Sequence, residues 1–243
     1  MHKEGRPGLG TIVNVVAIIA GGLGGLVFGR YLPERLKETM LGASGLIVIF
    51  LGLVGSLSRL LALGADGAIG TRGTTMMLAS LALGGLLGGI IDIDRRFVDF
   101  GEWLKTKSGN ARDPYFVDGF VTASLTVCVG AMAVVGAIED VLLLNPSILY
   151  SKAVLDLIIV MMMATAFGRG TVFSALAVGL FQGAISLFAA LLRPILTAPA
   201  LDNLSLVGNI LICGVGINLL FGPKVKVANL LPALIIAVAW AFI

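Results

Sequence analysis

Long apolar runs separated by short charged or turn-forming stretches make up most of the chain. Eight of them are long enough, or nearly long enough, for a transmembrane helix, which needs about 20 residues. They cover residues 11–29, 40–58, 74–91, 117–138, 153–168, 171–192, 205–222 and 229–243. Within the runs, apolar and polar residues do not alternate as they do in the strands of a membrane barrel. The pattern therefore predicts an all-α, polytopic bundle of about eight transmembrane helices.

The amino-acid composition points to the same class. Of the 243 residues, 58% are hydrophobic and 13% are charged, which is more apolar surface than one soluble core can bury. The 33 glycines suit membrane helices, where small residues let two backbones approach closely. The net charge of +3 does not indicate a nucleic-acid partner, because the basic residues are spread over short loops.

The whole chain, 1–243, is expected to form one transmembrane domain in two halves. The connection 92–115 repeats Phe97, Phe100 and Trp103 at helical spacing beside basic residues. Such a segment can lie in the headgroup layer as a cytoplasmic amphipathic helix, and a solvated linker is an equal alternative. Glycine-rich spans followed by charge recur along the chain. They suggest internal repeats, with glycine-mediated packing as the alternative.

The positive-inside rule gives an orientation. One side holds 11 of the 17 Lys and Arg residues: Arg30, Arg35, Lys37, Arg95, Arg96, Lys105, Lys107, Arg112, Arg169, Lys224 and Lys226. The other side holds Lys3, Arg6, Arg59, Arg72, Lys152 and Arg193. This bias predicts a multi-pass membrane protein with the first set of basic residues in the cytoplasm and both termini outside. The N-terminus resembles a cleavable signal peptide, but its apolar stretch continues to Gly29, so a retained helix is expected.

Ionised side chains inside apolar runs are the clearest functional signal, because each costs about 2.5 to 3.5 kcal/mol at the membrane centre. Lys152 and Asp156 are four residues apart, so they share one face of a helix and can pair. Glu139 and Asp140 end the preceding run and can lie nearby. Three acids and one lysine at an outer vestibule would attract a cation or hold a proton. Ordinary interface positions are the alternative for all of them except Asp156.

Polar residues deeper in the runs are the second signal. They are Asn14, Gln182, Asn209 and Asn218, with Asp118 near the cytoplasmic start of the fourth run. Each amide can donate and accept hydrogen bonds. Bonding between helices explains any single one of them, but their presence together with Asp156 indicates a polar pathway. Asp118 either guards the inner mouth of that pathway or lies among the headgroups.

An enzyme is not expected from this sequence. The single histidine, His2, lies in the N-terminal tail, so neither a zinc-binding pair nor a Ser/His couple can form. Asp118 and Asp156 are predicted near opposite membrane faces, which argues against an aspartyl protease. Cys128 and Cys213 lie within apolar runs and lack metal-ligand spacing. No cofactor and no metal are therefore predicted.

Seven motifs distributed over the chain carry a family resemblance. They are GTIVN (10–14), LPERLKE (32–38), FVTASLTVCVGAMAVVGAIED (120–140), NPSILYSKAVLD (145–156), SALAVGLFQGA (174–184), VGNILICGVGINLL (207–220) and VANLLPAL (227–234). The glycine-rich third span, 74–91, adds to the same resemblance. Together they resemble the bacterial YqgA-like integral membrane proteins. The resemblance implies a polytopic inner-membrane protein without an established activity, so no site residue is carried over. Members often have an acid where this chain has Gly89, and this departure places more weight on Asp156.

The functional hypothesis is a small secondary transporter or channel for a small solute or cation. Proton coupling would run through Asp156, with Lys152 as its resting partner. The path would be lined by Asn14, Gln182 and Asn209. The alternative is a membrane scaffold or partner subunit that moves nothing and docks another protein on its charged connection. A homo-oligomer in the lipid bilayer is expected in either case.

Overall fold

The computed structural model describes residues 6–63 and 68–243, and most of them are helical. The α-helices are α1 (Leu9–Tyr31), α2 (Glu34–Leu60), α3 (Thr74–Ile91), α4 (Ile93–Lys107), α5 (Phe116–Cys128), α6 (Ala131–Leu142), α7 (Ser147–Phe167), α8 (Ser174–Leu187), α9 (Ala189–Leu192), α10 (Ala198–Phe221) and α11 (Pro232–Ala239). Short 3₁₀ helices cover Gly168–Phe173, Val227–Leu230 and Trp240–Phe242. A small antiparallel hairpin of β1 (Leu61–Leu63) and β2 (Ile69–Thr71) follows α2. The predicted all-α architecture is confirmed. Two residues named in the sequence analysis, His2 and Lys3, lie outside the described residues.

Five segments are long and apolar enough to cross a membrane. They are Leu9–Tyr31, Glu34–Leu60, Thr74–Ile91, Ser147–Leu187 and Ala198–Phe221. The 41-residue segment Ser147–Leu187 folds back on itself, since α7 runs parallel to α1 and α8 runs antiparallel to it. Helices α5 and α6 count as a sixth candidate only when taken together, because the chain bends by 61° between them. These apolar helices fit a multi-pass membrane protein.

The prediction of one unbroken helix over 117–138 is wrong. Helix α5 ends at Cys128, and Gly130 then adopts φ 143° and ψ 151°. This backbone conformation lies far from the helical region and is one that residues with a side chain rarely adopt. Two half-helices joined by a bend therefore replace the predicted span.

Several other helix boundaries also differ from the prediction; α10, for example, begins at Ala198 rather than at 205, and α8 ends at Leu187 rather than at 192. Helix α2 begins at Glu34 rather than near residue 40, because its first turns are charged and lie outside the apolar run. Helix α7 begins at Ser147 rather than at 153, so Lys152 lies in its second turn instead of its first. Hydropathy locates the apolar part of a helix and misses the polar turns that precede it.

Three helix pairs run close together: α1 with α7, α2 with α10, and α3 with α11. Glycines line these contacts. A Cβ atom added to Gly25 of α1 would overlap the carbonyl oxygen of Met161 on α7. One added to Gly88 of α3 would overlap the carbonyl oxygen of Asn229, just before α11. Small residues therefore set the backbone separation, as they do in tightly packed membrane helices.

Gly25→Ala is expected to lower the midpoint of thermal unfolding in detergent, because the new methyl group forces α1 and α7 apart. Overpacking of this kind costs about 1 to 3 kcal/mol. Gly24→Ala is the matched control, since a Cβ atom there would meet only the Met161 side chain, at 3.8 Å. Its gain in helix propensity of about 1 kcal/mol should leave it at least as stable as the parent protein. Equal midpoints for the two variants would contradict the glycine contact.

The helix directions define two ends of the bundle. One end, which we call the α4 side, contains α4 and the loop after it, where Arg169 donates a hydrogen bond of 3.0 Å to Asn110. The opposite side carries the start of α1 and an ion pair between Arg59 and Asp202. The largest buried apolar cluster lies between these ends around α10, where Leu211 packs with residues of α2, α5 and α11.

Helix α4 packs its apolar face on α5 at the α4 side. Phe97 stacks on Phe120 with ring centroids 6.1 Å apart, and Gly101 lies against Val117. The start of α4 is capped from another part of the chain, since the Asn229 side-chain oxygen accepts a hydrogen bond of 2.7 Å from a backbone N–H in its first turn. The 92–115 connection is therefore anchored to the bundle by its own helix.

Candidate functional site

The bend between α5 and α6 leaves a helix end inside the bundle. The last carbonyl groups of a helix have no partner within it and carry a partial negative charge. At the end of α5, Val129 is extended and Gly130 turns the chain away. A cation is the group that best satisfies such an end.

Lys152 of α7 supplies that cation. Its Nζ donates one hydrogen bond of 2.7 Å to the Val127 carbonyl oxygen and another of 2.6 Å to Asp156 Oδ2. The lysine is 7% exposed and the aspartate 4%. The pair that the i, i+4 spacing predicted therefore forms. It also binds the broken helix, which the sequence analysis did not anticipate.

The ion pair lies one helical turn from a layer of buried apolar side chains. This apolar layer consists of Ile18, Val127, Val160 and Val178, which pack together in one cluster. On α1, Asn14 lies four residues before Ile18, and on α7, Asp156 lies four residues before Val160. On α8, which runs antiparallel to α1, Gln182 lies four residues after Val178. At a rise of 1.5 Å per residue, four residues span about 6 Å of helix. Each of these three polar residues therefore lies about 6 Å from the apolar layer, on the side of it that faces away from α4. Asn14, Asp156 and Gln182 thus lie at one level of the bundle, and Lys152, one turn before Asp156 on α7, reaches that level with its Nζ; we call these four residues the polar layer.

The amides of the polar layer are buried but poorly satisfied. Asn14 and Gln182 are both 0% exposed. Within the described part of the chain, no amide atom of either residue has a well-formed hydrogen bond, although Asn14 lies beside the Asp156 carboxylate. The hydroxyl of Thr11, one turn away on α1, is unpartnered in the same way. An unsatisfied buried polar group costs about 1 to 3 kcal/mol, so the amides of this layer lower the stability of the bundle as it stands.

Asp140 and Glu139 have different surroundings from the polar layer. Asp140 Oδ2 accepts hydrogen bonds from the backbone N–H groups of Gly10, at 2.9 Å, and Thr11, at 3.4 Å. The carboxylate therefore caps the positive N-terminal end of α1. Glu139 instead accepts a bond of 3.1 Å from the Asn145 side chain in the next loop.

The other two predicted amides lie on α10 and bond locally. Asn209 donates a bond of 2.7 Å to the Ser205 carbonyl, and its side chain lies against Gly55 of α2. Asn218 accepts from the backbone N–H groups of Lys224 and Val225, at 2.9 and 2.8 Å, so it holds the turn after α10. The structure does not bring either residue to the polar layer through any hydrogen bond of the described residues.

Asp118 lines a cavity of about 500 Å³ on the α4 side. Asp94, Lys226 and Thr122 also line it, and it reaches Leu125 within α5. Burial raises the pKa of Asp94, while the charge of Lys226 opposes that shift. We call this cavity the vestibule. It is a charged opening that lies on the α4 side of the apolar layer.

The break itself and the polar atoms that it creates were not predicted from the sequence. Gly130 is one of 33 glycines, so its identity alone did not distinguish a bend from a helix contact. Ser124, whose buried hydroxyl is unpartnered among the described residues, was also missed. Ser124 lies on α5, five residues before Val129. Its closeness to the break could be recognised only after the break itself was known. No group of three His, Cys, Asp or Glu side chains suited to a metal ion occurs in residues 6–63 and 68–243.

Comparison with known proteins places the chain in context. Residues 9–242 match the family described as "Protein of unknown function (DUF554)". The chain is 31% identical over 227 residues to the "Uncharacterized membrane protein YdfK" of Bacillus subtilis, covering 93% of each protein. It is 26% identical over 242 residues to the "Uncharacterized protein YqgA" of Escherichia coli, covering 94% of each. No solved structure matches the chain. The resemblance drawn from the seven motifs is confirmed.

Proposed function

The chain belongs to the DUF554 family, whose function is unknown, and we propose that it is a secondary transporter or channel for a small polar solute or cation. The observation that carries the proposal is the helix end at Val127, held by a buried Lys152–Asp156 pair at the level of two unsatisfied amides. Transporters typically bind substrates near the middle of the membrane at broken helices, whose ends supply partial charges. We propose a transport role for the chain and no catalytic one.

Asp156 is the proton-coupling residue in this account. While it is ionised, its carboxylate holds Lys152 beside the end of α5. Protonation removes that attraction and frees the lysine to move. A cationic or polar solute that takes the place of Lys152 against the carboxylate would then be exchanged for a proton. Intramembrane acids of this kind are the usual elements of proton relays in transporters.

The apolar layer closes the pathway toward the α4 side in this conformation. Its members Ile18, Val160 and Val178 are each 0% exposed, and hydrophobic constrictions of this kind exclude water and ions. The vestibule with Asp118 and Asp94 lies beyond the layer. We infer eight crossing segments with the α4 side in the cytoplasm and both termini outside. Movement of α5 against α6 at Gly130 would open the layer.

The test is solute-dependent proton movement in liposomes that contain the purified protein and a pH-sensitive dye. The panel consists of amino acids, small carboxylates, sugars and monovalent cations, and protein-free liposomes set the baseline. At least one solute is expected to change the internal pH above that baseline. If no member of the panel changes the internal pH, the proton-coupled transporter is excluded; if none of them enters the liposomes either, the channel is excluded too and the scaffold alternative takes its place.

A further inference from the structure

We propose that an apolar groove between α4, α5, α8 and α11 binds one acyl chain of an anionic phospholipid, with the phosphate held by Arg96. The groove is separate from the polar layer, and the inference does not depend on what the protein transports. The anionic phospholipid comes from the leaflet that the α4 side faces.

The groove has the size and lining of a site for an apolar chain. Its volume is about 480 Å³, within the range of about 300 to 1,000 Å³ that is typical of ligand sites. Phe97, Leu125 and Leu234 line it from three different helices, and Arg96 and Ser124 are its polar lining residues. Such a lining favours a hydrocarbon chain over a polar solute.

The depth of the groove matches one leaflet. Its lining on α5 runs from Phe120, beneath α4, to Val129 at the break. At a rise of 1.5 Å per residue this distance is about 14 Å, close to half of a hydrocarbon core about 30 Å thick. Leu180 and Phe181 of α8 line the groove, and both side chains are exposed on the surface of the bundle. The groove therefore opens sideways toward the lipid.

Arg96 gives the groove a charge preference. Arg96 lines the groove from α4, is an exposed residue, and has no ion pair with any residue that the structure describes, so its charged end is free to reach a headgroup at the groove's mouth. Arg95, Lys105 and Lys107 lie on the same amphipathic helix, whose four basic residues outnumber its three acidic ones, Asp94, Asp99 and Glu102. Basic residues beside a cleft between membrane helices attract anionic headgroups, and a guanidinium suits a phosphate because it offers two parallel N–H donors.

An acyl chain in the groove would contact the break. Cys128 and Val129, which end the first half-helix, line its deep end. Val127 directly precedes Cys128 on α5, and its carbonyl oxygen accepts the hydrogen bond from Lys152 Nζ. A bound lipid is therefore placed to stabilise the bent conformation of α5 and α6.

The experiment is native mass spectrometry of the purified protein titrated with phosphatidylglycerol or with phosphatidylcholine of the same chains. Arg96→Gln should weaken phosphatidylglycerol binding about fivefold, the value of one headgroup contact near the surface, and weaken phosphatidylcholine binding by less than about twofold, because the choline cation already offsets the charge of its phosphate. Arg95→Gln makes the same charge change outside the groove lining and should alter either affinity by less than about twofold. Equal losses in the two variants would overturn the assignment of Arg96.

The acyl-chain site is tested by filling the groove. Ala177→Phe places a ring among its lining residues and should weaken both lipids, with the parent's elution volume in gel filtration showing that it folds. A second measurement uses the Cys213→Ala variant, in which Cys128 is the remaining cysteine. Added phosphatidylglycerol should slow labelling of Cys128 by an apolar maleimide. Unchanged labelling, or full lipid binding by folded Ala177→Phe, would overturn the site.

Discussion

Asp156→Asn is expected to abolish proton-coupled solute movement in liposomes, down to the level of protein-free vesicles. The amide cannot take up and release a proton near neutral pH, so the exchange at the polar layer stops. The variant should still insert and fold, with a lowered melting midpoint, because the buried lysine loses its counter-charge but the amide oxygen keeps an acceptor for Lys152 Nζ, which lies 2.6 Å from Asp156 Oδ2 in the parent protein. The measurement is the internal pH change on adding the solute that the parent transports.

The control for this prediction is Asp202→Asn, the same isosteric change at an exposed ion pair with Arg59 on the opposite side. An exposed pair of this kind contributes about 0 to 1 kcal/mol, so the control should transport like the parent. Full activity of Asp156→Asn would remove Asp156 from the mechanism. Equal loss in both variants would show that the assay reports general damage rather than proton coupling.

Lys152→Met is expected to cause the largest loss of stability of any single change in the polar layer. It leaves the carboxylate of Asp156, 4% exposed, without its cation. Breaking a buried ion pair by removing one partner costs about 3 to 5 kcal/mol. For a chain of this length, that cost corresponds to a fall of roughly 10 °C in the midpoint of thermal unfolding. The measurement is a melting curve of the purified protein in detergent.

The double variant Lys152→Met/Asp156→Leu separates folding from function. Replacing a whole buried ion pair by apolar residues of similar size is often neutral or stabilising, so its melting midpoint should return close to that of the parent. Transport should stay absent, because the proton-coupling acid is gone. A double variant that is as unstable as Lys152→Met would mean that the cation is needed chiefly at the Val127 carbonyl. A double variant that transports would contradict the proposed mechanism.

The membrane class and the helix positions could be predicted from the sequence because they follow from hydropathy over windows of about 20 residues. The boundaries of α3, Thr74–Ile91, were predicted to the residue. The Lys152–Asp156 pair could be predicted as well, since a spacing of four residues brings two side chains together on any helix. These features are local, so a single sequence contains them.

The break and the capping interactions could not be predicted in this way. The bend at Gly130 lies within an apolar run, and nothing in hydropathy distinguishes it from the glycines that pack helices together, such as Gly25. Asp140 caps α1 from 130 residues away along the chain. Interactions of this kind depend on which helices become neighbours, and the pairing of helices is a property of the tertiary structure.

The most direct test of the account is a structure of the protein in lipid nanodiscs at low and at neutral pH, at a resolution that shows ordered water. The account predicts density for water or solute on the amides of Asn14 and Gln182. It also predicts that the Lys152 Nζ to Asp156 Oδ2 distance, 2.6 Å in the paired state, lengthens at low pH. A dry polar layer with the pair intact at both pH values would contradict a transport site and leave the polar residues as helix-packing groups.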